Sequence, residues 1–132
     1  MQSVKFDEVV DRIMAADRRY DREAYFFVRE ALDHTQRQIY KQSKAAQPPS
    51  DDRHVTGQQL LEGIRDHALS RFGPMTCTVL EEWGIRKCED FGEMVFNLIE
   101  HGMLGKNEKD SRDDFKGGYD FHEAFRANHS HP

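Results

Sequence analysis

The sequence predicts a mainly α-helical protein: an N-terminal helical pair, a proline-bearing loop, and a C-terminal unit of three helices closed by a small two-stranded β-hairpin. Three observations predict it. Apolar residues recur at three- and four-residue spacing through most of the chain. Start and stop signals bracket those runs, with a capping box at Thr56–Gln59 and glycine stops at Gly73, Gly84 and Gly102. After Gly102 the apolar period shortens toward two, which is the strand period. The length of 132 residues suits one domain. Within it, 1–42 reads as the helical pair, 43–55 as a loop or hinge, 56–125 as the C-terminal unit and 126–132 as a loose polar tail.

The first helix is expected from a cap at Ser3 to about Ala16, with Phe6, Val9, Val10, Ile13 and Met14 on one face. Asp17-Arg18-Arg19-Tyr20 breaks that pattern, and Asp21 is placed to cap a second helix over 22–42. Ala24, Phe27, Val28, Ala31, Leu32, Thr35 and Ile39 form its apolar stripe. Two prolines among small polar residues mark the loop that follows. In the third helix the Thr56 hydroxyl and the Gln59 amide cap one another, Val55 and Leu60 flank them as a staple, and Gly73-Pro74 ends the run. A short helix over 75–83 turns Val79, Leu80 and Trp83 inward and closes at Gly84-Ile85. The fifth spans 88–101, with Phe91, Met94, Val95, Leu98 and Ile99 as its core face. Trp83 and Phe91 are the expected anchors of this half. Met103 to Lys106 reads as the first hairpin strand, 107–112 as a polar turn, and Phe115, Gly117, Tyr119 and Phe121 as the alternating second strand.

The formal net charge is −5, and it is localised. Met75 to Phe121 holds six basic and eleven acidic residues, and the remainder is balanced at thirteen of each. No run approaches the roughly 20 apolar residues that a spanning helix needs. MQSVKFDEVV lacks the basic-then-apolar order of an export signal. The expectation is a cytoplasmic protein with no membrane partner, in which Cys77 and Cys88, neither in a CxxC pair, are free, half-buried thiols.

Helix, helix, helix, hairpin is the order of a winged helix. The stretch CEDFGEMVFNLIEHGMLGKNEKDSRDDFKGGYDF resembles the recognition helix, first strand, wing loop and second strand of that fold over about 56–121. The whole chain also resembles a conserved bacterial family of single-domain proteins of unknown function, through EAYFFVREAL, HVTGQQLLEGIRDHAL, RFGPM, EEWGI, EDFGEMVFNLIEHG and DDFKGGYDF. That likeness implies one integrated domain and supplies no chemistry.

A winged helix reads duplex DNA by laying the outer face of its recognition helix in the major groove, with Lys and Arg on phosphates. Here that outer face is acidic. Projected at 100° per residue with Phe91 at 0°, Glu89, Glu100 and Glu93 fall between about 160° and 200°. The helix holds no Lys or Arg. A carboxylate beside a phosphate costs about 1 kcal/mol or more, so duplex DNA is not an expected partner. The histidines, His34, His54, His67, His101, His122, His129 and His131, form neither HExxH nor ExxH. Glu30 and His34 share a helix face, and His129-Ser130-His131 offers two ligands in a tail. GxSxG and GxxxxGK[ST] are absent. The expectation is therefore no cofactor, no metal and no catalytic residue.

One candidate interaction surface remains. On the second helix, with Ala24 at 0°, Phe26 lies at about 200° and Tyr40 at about 160°, roughly 21 Å apart along the back. Arg29, Asp33 and Arg37 lie between them. That back is covered either by the first helix or by a second copy in a homodimer. The functional expectation is a non-enzymatic protein-interaction or assembly module, its own partner unidentified. A nucleic-acid-associated transcriptional regulator is the alternative, and a small enzyme with an unrecognised site comes third.

Overall fold

A computed structural model gives the fold and describes residues 2–43, 55–103 and 115–126. The chain is mainly helical. Its elements are α1 (Gln2–Ala16), α2 (Arg22–Ser43), α3 (Gly57–Phe72), a single 3-10 turn (Gly73–Met75), α4 (Thr76–Glu82), α5 (Cys88–Glu100) and α6 (Phe121–Arg126). No helix among the described residues is long and apolar enough to cross a membrane.

The helix ends follow from local chemistry. Asp21 Oδ1 accepts the Glu23 N–H at 2.8 Å and so caps α2. Thr56 Oγ1 accepts from Gln59 N at 3.1 Å while Gln59 Oε1 accepts from Thr56 N at 3.0 Å, a complete capping box. Two helices end in the same way. Ile85 N–H donates to Leu80 O and Gly84 N–H to Glu81 O at the end of α4; Met103 N–H donates to Leu98 O and Gly102 N–H to Ile99 O at the end of α5. Gly84 and Gly102 hold φ of 90° and 77°, the left-handed conformation this closure requires. α1 begins at Gln2, so Ser3 lies within the helix instead of capping it.

α2 packs against α3, α1 and α5. It runs antiparallel to α3: Phe27 meets His67 and Phe72, and eight residues later Thr35 faces Gly63. A Cβ on Gly63 would collide with the Thr35 side chain, so this glycine sets how closely the two helices approach. Thr35, only 4% exposed, satisfies its hydroxyl by donating to Ala31 O at 2.7 Å. One apolar cluster joins both halves of the chain. It takes Phe6, Val10 and Ile13 from α1, Phe27 and Val28 from α2, Ile64 from α3, and Phe91, Met94 and Leu98 from α5.

Three further expectations need correction. Helical periodicity assigns α2 one apolar stripe, but Tyr25 is fully buried and Phe26 half-buried as well. The Phe26 ring meets Phe6 edge-on at 5.0 Å between centroids, so α1 covers the back of α2 at that point. Trp83 is half-buried rather than central; it packs on Phe27 and Phe72, both at 5.7 Å, whereas Phe91 is fully buried.

The third correction concerns the hairpin. There is no strand among the described residues. The stretch expected as the second strand is a turn at 115–117, irregular chain at 118–120 and then α6. Asp120 Oδ2 accepts the Glu123 N–H at 3.1 Å, and Asp120 O accepts from Ala124 N at 2.8 Å. Buried Phe121, Ala124 and Phe125 stand at i, i+3 and i+4. A cap and a helical period thus outweigh a short alternation. The first strand beyond Met103, the wing loop and the polar tail beyond Arg126 lie outside the described residues, while Arg126 itself ends α6.

Phe26→Ala is expected to lower stability by about 2 kcal/mol, from lost burial and the lost edge-on ring pair. Urea unfolding checks this. A cost under about 0.5 kcal/mol would show that α1 does not hold the ring.

Candidate functional site: the linker between α1 and α2

The densest set of polar interactions lies where the α1–α2 linker, Asp17 to Asp21, crosses α5. The sequence marks this segment as a break in helical period closed by the Asp21 cap, and shows none of its distant partners. Its side chains reach residues more than 60 positions away. Tyr20, 2% exposed, donates its hydroxyl to Asp90 Oδ1 at 2.7 Å. The other oxygen of Asp90 accepts the N–H groups of Arg86 at 2.8 Å and Lys87 at 3.2 Å. One carboxylate therefore caps α5 and anchors the linker.

Asp17 is the second node. Its carboxylate accepts from Arg19 N, Nε and Nη2 at 3.1, 3.0 and 2.7 Å. It also accepts from Asn97 Nδ2 at 3.1 Å, and that same amide lies 3.2 Å from the Tyr25 hydroxyl. Arg19 reaches Glu93 at 3.4 Å and covers the Tyr20 ring at 5.1 Å. Asp90, Glu93 and Asn97, spaced i, i+3 and i+7, form one flank of α5. The linker backbone is fixed too. Asp21 N–H donates to Trp83 O at 3.0 Å, and Gly84 lies so close to the Arg19 carbonyl that any Cβ there would collide with it.

These contacts fix protonation. The Arg19 hydrogen bonds hold the Asp17 carboxyl far below the ordinary range, overriding its partial desolvation. Burial, reinforced by the hydrogen bond to Asp90, pushes the Tyr20 phenol above its ordinary value. Asp17 thus stays an acceptor and Tyr20 a donor through the physiological range. Their chemistry is that of a joint.

The opposite flank of α5 is also occupied. Phe115 packs against Gly92, where a Cβ would come within 3.0 Å of its ring, and Tyr119 N–H donates to the Cys88 thiol sulfur at 3.4 Å. Burial pushes the Cys88 thiol up to about 11.

The expected acidic face is split by this arrangement. Glu93 is drawn to Arg19, Glu89 is half-buried with Oε2 3.4 Å from Gly117 N, and Glu100 is exposed. The expected interface residues on α2 are split as well. Phe26 and Arg29 are engaged with α1, Arg29 lying over the Phe6 ring at 4.8 Å. Asp33 and Arg37 pair at 3.1 Å, and Tyr40 is 40% exposed.

Two further groupings lie elsewhere, and the sequence marks of them only the helix face shared by Glu30 and His34. Across the α2–α3 seam, Glu30 Oε1 pairs with both His67 at 3.1 Å and Arg71 at 2.8 Å, and His34 lies against His67 with ring centroids 5.6 Å apart. Between α3 and α6, a cavity of about 420 Å³ is lined by Glu62, Arg65, Asp66, Tyr119, Glu123 and Ala124. Among the described residues no set of three His, Cys, Asp or Glu side chains is arranged to hold a metal ion. No family model, curated protein or solved structure matches the chain.

The lowered Asp17 carboxyl has a signed consequence. It remains ionised in the folded chain where the unfolded chain has taken up a proton, so its stabilisation is full above about pH 5 and fades as pH falls through the ordinary aspartate range. Asp17→Asn is expected to cost about 1–2 kcal/mol at pH 7, discounted for the half-exposed Arg19. The gap from the wild type should narrow between pH 5 and pH 2 in urea titrations. A gap independent of pH would contradict the assignment.

The thiols should separate kinetically. At pH 8, with a disulfide reagent, half-buried Cys77 is expected to react in the folded protein and Cys88 only on unfolding. Equal native rates for both, assigned with Cys88→Ala, would overturn this reading.

Proposed function

We propose that the chain is a non-enzymatic protein-interaction or assembly module, and that α5 is a structural helix instead of a nucleic-acid reader. One observation carries this reading: the Asp90–Glu93–Asn97 flank of α5 is hydrogen-bonded to the chain's own 17–21 linker. A groove-reading helix must present its outer face to base edges. Here one flank lies under the linker and the other under Phe115 and Tyr119. The narrow stripe between them carries Glu89 and Glu100. Docking against phosphates would require breaking the joint and then bringing carboxylates to an anion.

The likeness to a winged helix is supported by the order of α3, α4 and α5 alone. The resemblance to a bacterial single-domain family rests on the sequence stretches that carry it. The surface offered to a protein partner is the distal part of α2 around Asp33, Arg37 and Tyr40. Phe26 takes no part in it, because α1 occupies that ring.

Fluorescence anisotropy with random duplex DNA at about 0.15 M salt tests the reading, because screening there leaves only genuine phosphate contacts. Dissociation constants weaker than about 100 µM are expected. Micromolar or tighter binding would overturn it and favour the nucleic-acid-associated regulator.

A further inference from the structure

We draw no further inference here: the strongest candidate, the half-buried imidazole and aromatic strip of His34, His67, Phe72 and Trp83 along the seam between α2 and α3, carries nothing, because Glu30 is already shared by His67 and Arg71 and nothing in the structure shows what covers the strip.

Discussion

Five residues between α1 and α2 must turn the chain without stranding polar groups, and they do so by taking partners from α5 and from Trp83, just past the end of α4. The Tyr20 hydroxyl goes to Asp90, the Asp21 N–H to Trp83 O, and the Asp17 carboxylate to Asn97. Gly84 makes room for the linker backbone. Where α1 and α2 lie relative to α5 depends on this crossing. The placement in turn decides which surfaces of α5 and α2 remain for anything else. Among the described residues no buried side-chain nitrogen or oxygen lacks a hydrogen-bond partner.

Magnitudes divide the labour. Phe6, Val9, Val10 and Ile13 of α1 are each at most 3% exposed. At about 1.5–3 kcal/mol per buried side chain, they supply most of the attraction of α1 for the rest. Pairs such as Arg22 with Asp7 and Asp11 lie in water, where screening leaves them little net worth. The half-buried bonds of Tyr20 and Asn97 fall between, at about 1–3 kcal/mol, because each involves a carboxylate. Apolar burial drives the association. The directional bonds choose one arrangement among those that bury similar area.

Helix boundaries were readable because their causes are local. The Thr56–Gln59 box, the Asp21 cap and the stops at Gly84 and Gly102 each need only a few consecutive residues. Core faces of α1 and α5 followed from periodicity. α6 was misread because Phe115, Tyr119 and Phe121 offer too few points to fix a period. The signal was nonetheless there, as Asp120-Phe121-His122-Glu123 is a cap signature followed by Ala124 and Phe125 at helical spacing. The linker site was not readable. Its partners are 70 to 80 positions away for Tyr20–Asp90 and Asp17–Asn97, and no one-dimensional period encodes such pairs. For Phe26 the period leaves two coverings open, α1 or a second copy, because a helix packed on several sides buries residues that one stripe assigns to the back.

The central claim is that this crossing makes the N-terminal helical pair and the C-terminal helices one cooperative unit. Native-state hydrogen exchange in low urea, resolved by residue, tests it most directly. The account predicts that the amides of α1 around Val10 and those of α5 around Met94 open with the same free energy and the same urea dependence. An α1 that opens several kcal/mol below α5, with a small urea slope of its own, would contradict it.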